Sequence, residues 1–368
     1  MNLGACQYET LAWPAMRAAD RAAWDRIRGL RPTLRGPYFT LDWCDQVQAA
    51  RGDLEVVRIT RGEALVGFLP FHRGRFGALR PAAGPLSDVH GFIAEADAVI
   101  DAPGLVAALG ASAFRFTAAP PDDPGLGPCG RAGEGYGIGL DDGYDAYVLA
   151  RSKARPKAFR NLRARLRKIE EAGLALEFRG DDRSADTLDA IIALKRLQYR
   201  RTRQIDVFGP PWTGRLLHNL VGLEGEGLRG RLTSLWLGGR LAAGHFGLQA
   251  EGVLHYWFTA YDEAFAAFSP GVVLLHRLAA AAAAEGVTRI DLGGGDYRFK
   301  HEFADLRPPV VGGVVRGRGL LAGAVSGADA AARRFSRLPL GSAASLPSRA
   351  LSRLDRLIAF HEVRPPAA

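Results

Sequence analysis

The sequence predicts a mixed α/β (α+β) chain built as two halves, on three observations. Short β-rich runs joined by glycine-containing turns occur in both halves, as a hairpin in the first and as three strands in succession in the second. Helical runs with apolar residues at three- and four-residue spacing lie between them. The 368 residues and their 48% hydrophobic content suffice for two cores of ordinary size.

In the first half a helical pattern runs around Trp24, Ile27 and Leu30, then the turn-rich RPTLRGPYFT, then a short helix around Leu41 to Val47. DLEVVRIT and ALVGFLPF, linked by RGE, read as an antiparallel hairpin. FGALRPAAGPLSDVHGFI reads as a loop that ends on a strand, a helical run near Leu105 to Leu109 follows, AFRFTAA is a strand, and PPDDPGLGPCG is a loop. A boundary between halves is expected near Asp141 to Ala150.

Beyond it, Pro156 suits the first turn of a helix, where a missing amide costs little, and Phe159, Leu162, Leu166 and Ile169 keep helical spacing until Gly173. ALEFRG is a short strand. Thr187 to Thr202 is a second helix with Leu188, Ile191, Ile192, Leu194 and Leu197 inward, and PPWTGRLLHNLVG supplies a third. GRLTSLWL, RLAAGHFGLQ and VLHYWFTA then form a three-stranded antiparallel meander, turning at Gly238-Gly239 and at Ala250-Glu251-Gly252. The loop YDEAFAAFSPG leads to an apolar helix from Val272 to Ala284, the strand TRIDLGG, and a helix start at YRFKHEF. The tail after Pro308 is rich in Gly, Ala, Ser and Arg, with one amphipathic stretch near Leu351 to Phe360, and carries no expected chemistry.

Composition narrows the function classes. The N-terminus lacks a basic and an apolar leader region, and the longest apolar run is broken by His276 and Arg277, so a cytoplasmic protein is expected. Cys6, Cys44 and Cys129 fit neither a disulfide framework nor a zinc site. The net charge of +9 is local: Arg151 to Arg203 holds 16 Lys/Arg against 7 Asp/Glu, and 16 − 7 equals the whole excess. Such a segment is either a solvated helix face or a surface for an anionic partner.

Two segments carry the candidate chemistry. In FSPGVVLLHRL, Gly271 permits an unusual turn just before a helix whose free N-terminal amides can hold an anion; Ser269, Gly271, Val272 and Val273 are the candidates, and a capped helix start with Ser269 as cap is the structural alternative. In DLGGGDYRFK, a glycine run follows Asp291 at a strand end and brings Asp296, Tyr297 and Lys300 after it, groups suited to binding or proton transfer or to an internal salt bridge. Lys300 stands out because the chain has only five lysines among 48 basic residues. Tyr256, Trp257 and Tyr261 are candidates for lining a substrate channel or the core. Asp88 and His90 lie two apart and fall on one face if extended. His245, His255 and His276 have no metal-ligand spacing, and no metal is expected. P-loop, nucleophile-elbow and HExxH patterns are absent, which argues against P-loop nucleotide hydrolases, serine hydrolases and zincins.

The run GRLAAGHFGLQAEGVLHYWFTAYDEAFAAFSPGVVLLHRLAAAAAAEGVTRIDLGGGDYRFKHEF resembles the C-terminal GNAT domain of the CelD/BcsL-like acetyltransferases of cellulose and exopolysaccharide biosynthesis. The marks are Tyr261-Asp262, Ser269-Pro270-Gly271, and Asp291, Gly295, Asp296 and Lys300; the Arg-rich SKARPKAFRNLRARLRKIEEAG and the first-half runs GFLPF and PLSDVHGFI are similar too. The resemblance implies a tandem GNAT-like fold, two mixed sheets flanked by helices, akin to the FemABX peptidyltransferases. It divides the chain into an N-terminal GNAT-like domain (1–148), a C-terminal GNAT domain (149–310) and a tail (311–368). Two departures stand out: the R/Q-x-x-G-x-G/A loop is missing before the helix, and Pro270 removes one amide from the candidate anion cradle; the family's aromatic before the lysine is Phe299 here, which keeps the ring without a hydroxyl.

The implied activity is N-acyl transfer, N-acetyl in the first instance, from acetyl-CoA to an amine of an amino sugar or glycan precursor. Asp291 or Asp296 is the expected base, Lys300 the holder of anionic groups, and Tyr261 or Tyr297 the acid for the leaving thiolate, with Asp88, His90, His245 and Tyr256 toward the acceptor. Two alternatives remain. One is an aminoacyl-tRNA-dependent FemABX-like transferase, the only case in which a nucleic acid is expected. The other is a non-catalytic scaffold touching anionic membrane or polysaccharide-synthesis proteins through the basic helix.

Overall fold

The computed structural model of the protein describes residues 6–223, 227–317, 353 and 357–363. Along the chain come β1 (Cys6–Ala12), α1 (Ala18–Leu30), α2 (Leu41–Arg51), β2 (Glu55–Arg61), β3 (Ala64–Arg73), β4 (Ala78–Pro81), β5 (Ile93–Ala94), α3 (Ala102–Ala108), β6 (Ala113–Ala119) and β7 (Gly130–Glu134). There follow β8 (Tyr136–Gly139), α4 (Gly143–Ala154), α5 (Pro156–Glu171), β9 (Leu176–Arg179), α6 (Ala185–Thr202), α7 (Pro211–Val221), β10 (Arg229–Leu237), β11 (Arg240–Ala250), β12 (Val253–Tyr261), α8 (Pro270–Ala284), β13 (Arg289–Gly293), α9 (Arg298–Phe303) and β14 (Pro309–Arg316).

Two compact units emerge. The first takes the described residues of 1–34, 43–133 and 309–368. Its sheet has the order β1-β2-β3-β4-β6-β14-β7, with β5 on β3. β2, β3 and β4 form an antiparallel meander, α3 crosses over, and β6 returns parallel to β4 at Leu79 and Phe114. β14 then pairs antiparallel with β6. Val57, Phe71, Phe92, Leu105, Phe114 and Val315 belong to one core.

The second unit takes 35–42 and 134–308. Its sheet order is β8-β13-β12-β11-β10-β9, and it repeats the plan of the first: a meander β10-β11-β12, the crossover α8, then β13 parallel to β12, with β8 antiparallel on β13. The two-residue turn Gly238-Gly239 has positive φ at both positions, a shape that matches strand twist and that glycine adopts without strain. Val273, Leu274 and Leu278 of α8 pack with Leu235, Ala243 and Leu254 on one face of the sheet. α5 covers that side further: its Phe159 ring meets those of His276 and Phe303 edge-on, at 5.4 and 5.8 Å. α6 takes the opposite face, where Gly244 of β11 leaves room for the Ile191 side chain.

Both sheets are mixed, as expected. Leu197, expected inward, is exposed because it falls on the face of α6 opposite the buried Leu188, Ile191 and Tyr199. β4 and β14 are strands in stretches that read as loop or tail, and β7 and β8 lie where the sequence predicts no element; β4, β7 and β8 are short and rich in glycine, alanine or proline, so side-chain alternation gives no signal there. Of the amphipathic stretch near 351–360, most lies outside the described residues; 357–361 is helical and Phe360 is buried.

Candidate functional site

The second unit contains a cleft of about 450 Å³ where β12 and β13 part. The two strands pair only over Val253–His255 and Arg289–Asp291, and beyond His255 β12 runs on to Tyr261 without a β13 partner. A bulge marks the same place: Phe246 pairs with Phe258 but Leu248 with His255, so Tyr256 and Trp257 both stand opposite Gly247. Bulges re-aim backbone groups next to sites. Gly247 is required here, since a Cβ would stand 2.4 Å from the His255 carbonyl oxygen. The cleft is lined by β12 from Tyr256 to Tyr261, by Ser269 to Val272 and Leu275 at the start of α8, by Leu292, Tyr297, Phe299 and Lys300, and by Lys195, Gln198 and Gln204. A second hollow of about 310 Å³ shares Gln198 and Tyr261 with it.

At the start of α8 the left-handed residue is Ser269, with φ 49, and not Gly271. Its side chain makes no cap bond, and its carbonyl accepts the Val272 N–H at 3.0 Å and the Val273 N–H at 3.5 Å. Pro270 has no N–H, so Gly271 supplies the uncommitted donor of this first turn, and a Cβ at Gly271 would meet nothing within 4 Å. Val273 is buried and does not line the cleft. Nearby, Lys168 of α5 donates to the Ala267 carbonyl at 3.4 Å and lies over the Phe268 ring, which adds positive charge to the loop before α8.

The glycine turn after β13 is held from within. Gly293 and Gly295 have φ of 69 and 88. Lys300 is buried; its ammonium donates to the carbonyls of Gly293 and Gly294 and lies 5.6 Å from the Tyr136 ring centre and 5.2 Å from that of Tyr297. Asp291 is turned away from the cleft: its carboxylate accepts the Gly293 N–H at 2.8 Å and lies 3.6 Å from His255 Nδ1. Burial raises the Asp291 carboxyl, yet the His255 contact and the Gly293 N–H outweigh it and hold the group below the usual carboxylate range. Asp296 is exposed and bonds to His301, outside the lining. Tyr297 and Tyr261 are on the rim, both exposed.

Tyr256 lies at the cleft wall with its phenol pushed up by burial. His245 backs it, rings stacked at 4.3 Å, with Nδ1 3.1 Å from Thr233 Oγ1. Burial, then Arg231 and His255, push the His245 imidazole far down, so the ring is neutral and supports Tyr256. Asp88 and His90 belong to the other unit: Asp88 is exposed, while His90 is buried 2.9 Å from Thr117 Oγ1 and pushed down to about 4 by desolvation. Among the described residues no group of His, Cys, Asp and Glu is placed to hold a metal ion, and no helix is long and apolar enough to cross a membrane.

Residues 156–301 match the family model described as an acetyltransferase (GNAT) domain. The fold is that of a GNAT-domain acetyltransferase. Among solved structures, FemX aligns with 83% of this chain and 96% of its own at 11% identity and a TM-score of 0.52. The C-terminal (DUF2156) domain of a protein described as a lysylphosphatidylglycerol synthetase from Agrobacterium fabrum aligns with 83% of this chain and 96% of its own, at 13% identity and a TM-score of 0.50. A tandem GNAT protein of clavulanic acid biosynthesis covers 84% and 98% at 12% identity, TM-score 0.44. No curated protein matches the chain. Within this GNAT-type fold, sequence reasoning missed Lys195. It was absorbed into the basic run, although the lysine scarcity that singled out Lys300 applies to it equally and it follows the buried Ile191 by one helical turn.

Proposed function

We propose that the second unit is an N-acyltransferase that takes its acyl group from acyl-CoA, acetyl-CoA in the first instance, and passes it to an amine on an amino sugar or glycan precursor. The observation that carries this reading is the parting of β12 and β13 at a bulge, with the start of α8 at the mouth of the resulting cleft. The residues there fit an anionic donor: the Gly271 N–H and the open space beside it would meet a phosphate, with Lys168 charge close by. The donor supplies an activated thioester.

The chain's own groups do the rest. Backbone amides of β12 past its pairing with β13 stabilise the oxyanion as the acceptor amine adds to the thioester carbonyl. Tyr297 or Tyr261, both at the cleft, returns a proton to the leaving thiolate. Lys300 positions this wall by tying down the glycine turn that carries Tyr297, and Asp291 holds the same turn through the Gly293 N–H.

Calorimetric titration of acetyl-CoA, with CoA and desulfo-CoA as controls, tests the donor. Gly271→Glu sharpens it: a carboxylate at the first turn stabilises α8 by about 0.3–1 kcal/mol through the helix dipole, but should weaken acetyl-CoA binding at least about tenfold by repelling its phosphates. Absence of saturable binding to the wild-type protein removes the acyl-CoA reading.

A second reading, an aminoacyl-tRNA donor, rests on α5. Lys153 and Arg155 just before it, and Lys157, Arg160, Arg163 and Arg167 along it, are exposed and form no ion pair among the described residues. An uncompensated cationic face of that kind suits phosphates.

A further inference from the structure

We propose that Lys195 is the general base that takes the proton from the acceptor ammonium. This rests on the acyl-transfer reading above. The reaction needs a group that removes a proton from R–NH3+ before the nitrogen lone pair can attack; that proton moves to the base, the acyl carbon then forms its C–N bond as the C–S bond breaks, and the second proton leaves the adduct nitrogen as the tyrosine protonates the departing thiolate. The cleft offers few candidates. Among the described residues that line it there is no Asp, Glu or His. Asp291 is engaged with His255 and Gly293, and Asp296 lies outside with His301.

Of the two lysines in the lining, Lys300 spends its protons on two backbone carbonyls of the glycine turn and so is committed to holding that turn. Tyr256 is buried so that its phenol is harder to ionise. Lys195 differs. Among the described residues its Nζ makes one hydrogen bond, to the Thr259 carbonyl at 2.8 Å, on the stretch of β12 that has left β13. That bond anchors the amine at the cleft wall and leaves a lone pair for an incoming proton.

The surroundings of Lys195 keep it uncharged more readily than an ordinary lysine. From its own helix it faces the Tyr199 ring at 5.3 Å and Gln198; from β12, Tyr256, Thr259 and Tyr261; from the start of α8, Ser269; and across the cleft, Tyr297 and Lys300. The acidic groups near α6 are taken elsewhere, Asp206 by Arg196 and Glu263 by Arg201. Desolvation with no carboxylate to offset it brings the Lys195 amine down to about 8, so that a useful fraction is neutral near pH 7.5.

The test has two arms on the full chain. With five lysines in the sequence, the 13Cε signals of labelled lysine resolve as five titration curves, and Lys195→Arg assigns the one that disappears. That curve should have its midpoint about two pH units below the ordinary lysine value; a midpoint at the ordinary value overturns the proposal. In the second arm CoA release from acetyl-CoA is followed against pH with D-glucosamine as acceptor. Lys195→Met should lower kcat/KM by about 10²–10⁴-fold and abolish its rise through the lysine midpoint, while acetyl-CoA binding by calorimetry stays within about twofold. A Lys195→Met enzyme with the wild-type pH profile, or one whose loss lies wholly in the acceptor KM and is restored by Lys195→Arg, overturns the proposal and leaves Lys195 as an anion-binding or structural cation. Failure of the wild-type protein to bind acetyl-CoA overturns the donor reading instead, and the titration curve still decides whether Lys195 is poised as a base.

Discussion

Gly244 offers a direct measure of how tightly α6 is set on the sheet. An ideal Cβ there would stand 2.1 Å from Ile191 Cδ1 and 2.2 Å from Cγ1, but 3.4 Å from Ile191 Cβ, an ordinary contact. Gly244→Ala therefore forces the outer atoms of a buried isoleucine, or the helix itself, away from β11. Overpacking costs about 1–3 kcal/mol, while replacing glycine within a strand returns about 0.5–1 kcal/mol, so a net loss of about 1–2 kcal/mol is expected. Ile191→Ala alone should cost about 2–5 kcal/mol as a cavity. Since Ile191→Ala removes the atoms that clash, adding Gly244→Ala to it should cost nothing further, giving a coupling energy of about 1–2 kcal/mol in the double-mutant cycle. Urea unfolding followed by far-UV circular dichroism supplies the four stabilities. Additive effects within about 0.5 kcal/mol would show that the Gly244–Ile191 approach is not what fixes the helix. Because Lys195 lies one turn beyond Ile191, Gly244→Ala should also move the Lys195 titration midpoint upward, toward an exposed lysine.

Three further outcomes follow from the second unit. The His276 imidazole is pushed down to about 4 by burial, with Arg165 adding to it. The unfolded chain therefore takes up this proton first, and the associated stability, present above about pH 6.5, should be lost as pH falls toward 4; His276→Phe should remove about 3 kcal/mol of that pH dependence in urea titrations. Arg231, fully buried, is bound to Glu285 through both terminal nitrogens and to the Gly180 carbonyl at 2.9 Å, so Glu285→Ala should cost about 2–4 kcal/mol in thermal unfolding by leaving a buried cation short of its anion. Reversing Arg160, Arg163 and Arg167 to Glu should change stability by less than about 0.5 kcal/mol per site, yet lower the slope of log K against log salt for any tRNA binding by about 2–3. An unaltered slope would remove α5 from the phosphate-binding reading.

The meander and crossover of the second unit were legible because side-chain alternation and glycine turns recur there without interruption, from Arg229 to Gly293. The small strands were not. β7 and β8 read GRAGE and YGIG, in which the pairing is backbone to backbone and few side chains are present to alternate. In the site, the Ser269–Val272 segment and the Tyr297–Lys300 segment were visible as motifs and do line one cleft. Asp291 was visible as a carboxylate near glycines, but which way it turns depends on His255, a partner on another strand. Lys195 was hidden for a related reason: its environment is assembled by β12 and α8, far along the chain, while its sequence neighbours Arg196, Arg200 and Arg201 make it look like one more surface charge.

The sheet topology also dictates an order of completion during synthesis. The first unit has β1 to β7 by residue 134, but its β6 is flanked by β14, which begins at Pro309. Its sheet therefore waits with an open position while the whole of the second unit is made. The second unit has every strand it needs once β13 is made, because β8 precedes the rest of it. Vectorial folding should thus finish the later half first, with the unpaired edge of β6 exposed for roughly 10–35 seconds at ribosomal rates of about 5–20 residues per second. A nascent chain stalled before Pro309 would present that edge to other chains.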